Sequence, residues 1–235
     1  MTPRALQAVI LDFDGVIANS EPLHFRAFQD ALAEEAIELT REDYYQRYHG
    51  FDDVGLIEAV AKDRGLAMSG AAVGSLVERK GRRMQALLEG GAVLFPGATE
   101  FIRQSAAAVP LAVASGAMRH EIEEILEGAH LMSCFRIVVA AGDTPESKPS
   151  PQPYRLAFSR LCENTGLALE PHRCVAVEDS RWGLASARGA GLRCVGVTNS
   201  YPASELPFAE LIVDGLDALS LEMLDSLVGG AGPRS

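Results

Sequence analysis

Two aspartates, Asp12 and Asp14, close the apolar run Ala8-Val9-Ile10-Leu11, and Gly15 follows at once. A short apolar run bounded by a turn signal is the pattern of a strand buried on both faces of a parallel sheet. Carboxylates at the carboxyl end of such a strand stand where open α/β sheets hold their ligands. The stretch on its own would also suit a helix-capping Asp followed by a turn Asp. Three later places set polar groups after an apolar run in the same way. Ser115-Gly116 follows Leu111-Ala112-Val113-Ala114, and Lys148 lies in the loop beyond Ile137-Val138-Val139-Ala140. Glu178-Asp179-Ser180 follows Cys174-Val175-Ala176-Val177.

These residue types share one chemistry. Carboxylates gathered about a point repel unless a cation joins them, and a small set of hard oxygen ligands favours Mg²⁺. A lysine and a Ser-Gly segment at a helix start supply positive potential and N–H donors, which suit a phosphoryl group. One carboxylate can then attack phosphorus covalently while another, two residues on, handles the proton.

Such a convergence needs a parallel sheet. Helical patterns separate the apolar runs from Phe95 onward: Met118, Ile122, Ile125, Leu126 and Ala129 form one stripe, and Tyr154, Phe158, Leu161 and Cys162 another. A helix from Arg181 to Gly189, a strand from Leu192 to Val197 and a short strand at Leu211-Ile212-Val213 complete the series. Alternating strands and helices predict right-handed crossovers and a doubly wound parallel sheet, an α/β fold. The segment between Val16 and Gly90 is different. Ser20 reads as an N-cap with Pro22 in the first turn of a helix to about Glu35. Helical patterns follow at Glu42–Tyr48, Asp53–Arg64 and Ala71–Leu88, with no strand among them. The expected division is therefore a core of residues 1–16 and 91–235 and a helical insertion of residues 17–90. Residues from Gly229 to Ser235 read as a frayed tail.

Composition narrows the partners. The 235 residues carry a formal charge of −11, which argues against nucleic acid or an anionic membrane surface. No run of about 18 apolar residues is present to span a membrane, and no signal-peptide pattern opens the chain. The four cysteines are too irregularly spaced for a zinc site, and Cys174 and Cys194 sit in strand-like runs, as buried reduced thiols do. The expectation is a cytoplasmic protein, a monomer or small homo-oligomer. The insertion holds nine Lys or Arg against thirteen Asp or Glu. Its basic cluster Arg79-Lys80-Gly81-Arg82-Arg83 reads as a solvated helix face, with a phosphate clamp as the alternative.

The ordered motifs resemble the haloacid dehalogenase superfamily. Asp12-Phe13-Asp14-Gly15-Val16 is similar to its first motif, Ser115 to the second, Lys148 to the third and Glu178-Asp179 to the fourth, over essentially the whole chain. The resemblance implies a Rossmann-like core with an α-helical cap inserted after the first strand. It also implies Asp12 as nucleophile, Asp14 as acid and base, and Mg²⁺ held by Asp12, Asp14 and Asp179, with Glu178 a ligand or a partner of one. Ser115, Gly116 and Lys148 would bind the phosphate of the substrate that the resemblance implies, a small phosphorylated metabolite.

Asn19-Ser20-Glu21-Pro22-Leu23-His24 resembles the subgroup of β-phosphoglucomutase and the sugar-phosphate phosphatases. The mutase holds its far phosphate with basic cap residues, and here those positions fall on His49 and Asp53, in Tyr48-His49-Gly50-Phe51-Asp52-Asp53. Met118 stands where the mutase would have a lysine. An aspartate cannot serve as a bidentate phosphate fork, so hydrolysis is the expected reaction and a phosphosugar mutase the alternative. The cap is expected to decide the substrate, with His24, His49 and Phe51 as its contacts.

Overall fold

The computed structural model describes residues 5–48, 51, 53–88 and 93–230. Six strands form one parallel sheet: β1 (Ala8–Leu11), β2 (Leu111–Ala114), β3 (Phe135–Val139), β4 (Cys174–Glu178), β5 (Arg193–Val197) and β6 (Leu211–Val213). Their spatial order is β3-β2-β1-β4-β5-β6, and all five pairings are parallel. The central strands β1, β2 and β4 are buried along their whole length, which is why they read as apolar runs, broken only by Glu178 at the end of β4. The edge strand β3 begins at Phe135, two residues before its apolar run. Arg136 interrupts the pattern but lies exposed, as an edge strand permits.

The chain divides into two compact units, one of Met1–Asn19 with Ala92–Ser235 and one of Ser20–Gly91. The first holds the sheet with α5 (Ala98–Ala106), α6 (Arg119–Gly128), α7 (Gln152–Thr165), α8 (Arg181–Gly189) and α9 (Leu221–Gly229). Its core on one sheet face joins Ala8, Ile10, Ala112 and Ala176 to Tyr154, Leu161 and Leu184 of α7 and α8. Each fully buried side chain of Ile or Leu size contributes about 1.5–3 kcal/mol. Cys174 and Cys194 are buried free thiols, and burial pushes both up to about 12, so they remain unreactive at neutral pH. Helix α9 runs through Gly229, where a frayed tail was expected; residues 231–235 lie outside the description.

The second unit is helical: α1 (Glu21–Ala33), α2 (Arg41–Asp43), α3 (Asp53–Asp63) and α4 (Gly70–Leu88). Phe28, Leu32, Tyr44, Leu56, Val60 and Leu76 belong to its own core. Three details depart from the sequence reading. Ser20 occupies the N-cap position of α1 in a helical conformation, and its side chain makes no capping bond. The helix expected at Glu42–Tyr48 is one α-turn capped by Thr40, followed by a π-turn over Tyr44–Tyr48. The tyrosine hydroxyls hold that wider turn, Tyr44 donating to Glu21 at 2.7 Å and Tyr48 to Asp63 at 2.9 Å. The basic cluster is not uniformly solvated either. Lys80 falls on the same face of α4 as the buried Val73, Leu76 and Met84 and is buried with them.

No helix among the described residues is long and apolar enough to cross a membrane.

Candidate active site

Strand order places the chemistry. β1 lies between β2 and β4, so Asp12, Ser115 and Glu178-Asp179 emerge at the carboxyl ends of three adjacent parallel strands. The chain leaves β1 toward β2 on one side, while β4 pairs on the other, which makes this the switch point of the sheet. Register aligns the ends closely: Leu11 pairs with Val113 on one flank and Val177 on the other. The Asp12 N–H donates to the Val177 carbonyl at 3.0 Å, continuing the ladder into the site.

Lys148 ties these ends together. Its Nζ lies 2.8 Å from Asp12 Oδ1 and 2.5 Å from Glu178 Oε1, and over the Tyr154 ring at 5.1 Å. Glu178 is wholly buried and both its oxygens are engaged. Oε1 accepts from Lys148 and from the Tyr154 hydroxyl at 2.9 Å; Oε2 accepts from the Ser180 hydroxyl at 3.2 Å. Helix α8 reinforces this seat, because a Cβ at Gly183 would overlap the Glu178 carboxylate. Asp179 is fixed from the turn after β5, where the Ser200 hydroxyl donates a short hydrogen bond to its Oδ2.

Gly15 is required twice over. Its φ is +78°, and any side chain would collide with the Asp179 carboxylate. Asn199 anchors the same turn by donating to the Gly15 carbonyl at 2.8 Å. Asp14, partly buried, stands in this turn, bridged to Ala18. Ser115, Gly116 and Lys148 line one cavity of about 240 Å³, together with Ala140 to Gly142 and Ser147. The Lys148-Pro149 peptide bond is cis. The Ser115 hydroxyl accepts from the Ala117 N–H at 3.0 Å.

The electrostatics of the cluster are lopsided. One oxygen from each of Asp12, Glu178 and Asp179 lies within 4.8 Å of the others, around a single lysine. Burial, and then the neighbouring Glu178, raise the Asp12 carboxyl well above its usual range although Lys148 pulls it down. Burial and Glu178 likewise push Asp179 up to about 7, against the opposing Ser200 hydrogen bond. For Lys148, burial acts downward, but Asp12 and Glu178 together outweigh it and raise the ammonium above its usual range. Three buried carboxylates and one ammonium leave a surplus of negative charge that a divalent cation with oxygen preference would answer. The donor set fits such an ion.

Of the residues singled out in the sequence, Asp12, Asp14, Ser115, Gly116, Lys148, Glu178 and Asp179 lie in the sheet unit, and Lys148 joins Asp12 and Glu178 directly. His24 and Phe51 belong to the helical unit; His49 lies outside the described residues. Phe51 is exposed, and His24 Nδ1 lies 3.0 Å from Lys80 Nζ. Gly183, Asn199 and Ser200 escaped the sequence reading, which noted Ser180 only as a residue after β4 and Tyr154 only in a helical stripe. Asn199 and Ser200 could have been found by the rule that found the others, since they follow β5 at the same end of the sheet.

The comparisons with known proteins agree with this geometry. Residues 6–191 match the family model described as haloacid dehalogenase-like hydrolase. Protein CbbY of Rhodobacter capsulatus is 31% identical over 233 residues, 94% of this chain and 99% of that protein. Hexitol phosphatase B of Escherichia coli is 31% identical over 202 residues, 83% of this chain and 85% of the relative. Among solved structures, a variant of CbbY from Rhodobacter sphaeroides in complex with xylulose-(1,5)bisphosphate superposes with a TM-score of 0.78 at 29% identity. It is matched over 94% of this chain and 99% of its own. With residues 6–191 matched by the family model and two relatives at 31% identity, the chain belongs to the haloacid dehalogenase-like hydrolases and is an enzyme of their phosphatase kind.

Proposed function

We propose that this enzyme hydrolyses a small phosphomonoester, a sugar or polyol phosphate, through a phosphorylated Asp12. The observation that carries the reading is Lys148 bridging Asp12 and Glu178 beside Asp179, at the carboxyl ends of adjacent strands. The names of the hexitol phosphatase and of the neighbour holding a sugar bisphosphate support the substrate class.

Asp12 Oδ attacks phosphorus, the bond from phosphorus to the ester oxygen breaks, and Asp14 gives that oxygen its proton. Asp14 then takes a proton from water, the water oxygen bonds to phosphorus, and the bond to Asp12 breaks to release orthophosphate. Lys148 and Ser115, with the amides at the start of the segment before α6, hold phosphoryl oxygens. Asp12 and Asp179, with the Asp14 carbonyl, would hold Mg²⁺. Glu178 would act through Lys148, since its two oxygens already accept from Lys148, Tyr154 and Ser180. When bound, the ion supplies charge neutralisation for the transferring group.

The test is orthophosphate release from a panel of sugar and polyol phosphates, with Mg²⁺ and with chelator. At least one compound should turn over with Mg²⁺ and lose roughly a hundredfold or more of its rate in chelator. Metal-independent release would overturn the ion's part. Isomerisation of a sugar phosphate without net phosphate release would instead mark a mutase.

The raised carboxyls also predict a pH-dependent response to the ion. A carboxyl that is harder to ionise when folded binds protons more tightly in the native state. Between about pH 4 and 7 these two groups therefore lower stability as pH rises. Mg²⁺ competes with those protons, so its effect on melting temperature should be small at pH 5 and grow toward pH 7.5. At a hundredfold excess over its Kd it would add about 2.7 kcal/mol, a shift of several degrees. His24, held neutral with its pKa lowered to about 3 by burial and then Lys80, contributes stability that falls off below its unfolded value. That term is common to both measurements and cancels in their difference. A melting shift independent of pH would contradict this account of the cluster.

A further inference from the structure

The chain leaves β5 at the carboxyl end of the sheet through Thr198-Asn199-Ser200-Tyr201-Pro202. Both ends of this segment are anchored within the sheet unit. The Thr198 N–H donates to the Val213 carbonyl at 3.1 Å, extending the pairing with β6. The Tyr201 ring meets the Trp182 ring of α8 edge-on, with centres 6.0 Å apart. Between these anchors Asn199 and Ser200 each reach one side of the acidic cluster.

Ser200 acts on a carboxylate. Lys148 holds Asp12 and Glu178 by ion pairs, whereas the Ser200 hydroxyl is the side-chain donor to Asp179, at Oδ2. The terminal torsion of an aspartate is broad, so a donor on one oxygen is what fixes the carboxylate plane. Asn199 acts on the backbone. Its Nδ2 donates to the Gly15 carbonyl at 2.8 Å, and the Gly15 N–H donates to the Ala18 carbonyl at 3.0 Å. Glycine has the most backbone freedom of any residue, and these two bonds hold the peptide planes on either side of it. A peptide unit is planar, so the plane that carries the Gly15 N–H also carries the Asp14 carbonyl. The two actions converge, because a side chain at Gly15 would collide with the Asp179 carboxylate and with Ser200 Oγ alike.

We propose that Asn199 and Ser200 are positioning residues for the divalent cation. Ser200 sets the Asp179 carboxylate and Asn199 sets the turn that presents the Asp14 carbonyl, so this dipeptide tunes how tightly the ion is held through the groups that hold it. This rests on the reading above, in which Asp12, Asp179 and the Asp14 carbonyl bind Mg²⁺.

The experiment uses the metal alone, so it does not depend on turnover. Mn²⁺, which shares the oxygen preference of Mg²⁺, is titrated into the protein at neutral pH and followed by the EPR signal of the free ion, with Mg²⁺ then added in competition. Ser200→Ala should weaken both ions about 10–100-fold, and Asn199→Ala about tenfold. Ser200→Thr keeps the hydroxyl at an exposed position and should stay within about threefold of the parent. In chelator the alanine variants should melt within about 4 °C of the parent, since one partly exposed hydrogen bond contributes about 1 kcal/mol. A brace of the fold alone would lower the melting temperature and leave the affinity for the ion unchanged. Unchanged affinity in Ser200→Ala would overturn the proposal, as would equal weakening in Ser200→Thr and Ser200→Ala. Should Asn199→Ala not fold, the two Ser200 variants decide. Asp179→Asn separates this proposal from the reading beneath it. If that variant loses the ion while Ser200→Ala keeps the parent affinity, the proposal fails and the reading of the site stands; if the unmodified protein binds neither ion, both fail.

Discussion

Asp12→Asn should lower phosphatase turnover by about 10⁴-fold or more while the protein stays folded, because the variant lacks the nucleophile and keeps its shape. The surroundings explain why folding should survive. The carboxylate is buried and its pKa is raised by burial and by Glu178, so its charge is a cost to the native state at neutral pH. Lys148 retains Glu178 as its partner at 2.5 Å, so no buried cation is orphaned. In chelator at pH 7.5 the variant should melt at the same temperature as the parent or higher. Steady-state phosphate release and a thermal melt check both parts. A folded variant keeping more than a few per cent of the parent rate would remove Asp12 from its role.

The opposite coupling is expected at Lys148. Lys148→Ala should lose both activity and stability, because Glu178 and Asp12 would be left as buried carboxylates without their cation. Breaking a buried ion pair by removing one partner costs about 3–5 kcal/mol, which for a chain of this size lowers the melting temperature by roughly 10 °C. Removing a donor to the phosphoryl oxygens costs about 10²–10³ in kcat. The folded pKa of Lys148 is raised above its unfolded value, so this stabilisation is fully present at neutral pH and fades only in strong alkali. Arg at this position should not restore activity. The planar fork needs more room than a point charge packed against Tyr154, and it cannot reproduce the single-atom bridge between two carboxylates. An alanine variant that melts within about a degree of the parent would contradict the bridging role.

The contrast between these two variants follows from features with different standing in the sequence. Strand-end acids are visible because a strand buried on both faces must be apolar, so Asp12 and Glu178-Asp179 stand out against Ala8–Leu11 and Cys174–Val177. Lys148 was picked out by its place in the loop beyond Ile137–Ala140, but nothing in a loop sequence says that its ammonium returns between Asp12 and Glu178. Tyr154 was hidden for a different reason: it falls on the apolar stripe of α7, and only the fold reveals that its hydroxyl ends on Glu178. Gly183 and Gly15 are legible as turn or helix glycines, but the reason for them is a carboxylate occupying the space of a side chain. The helical unit was harder still. A lysine inside Arg79-Lys80-Gly81-Arg82-Arg83 looks solvated until the 3.6-residue period sets it on the buried face with Leu76 and Met84. The sequence reading compared Asp53 with a basic position of the mutase and saw a missing cation; the structure adds that the aspartate occupies a cation of its own.

The central claim is a covalent bond between Asp12 and phosphorus, and trapping that bond tests it most directly. An accepted phosphate ester, mixed with the enzyme and Mg²⁺ and quenched in acid within milliseconds, should leave an acyl phosphate that borohydride reduces. Peptide mass spectrometry should then find homoserine in place of Asp12, with the yield higher in Asp14→Asn, where breakdown of the adduct is slowed. Turnover of the same ester with no adduct in either protein, or an adduct on another residue, would contradict it.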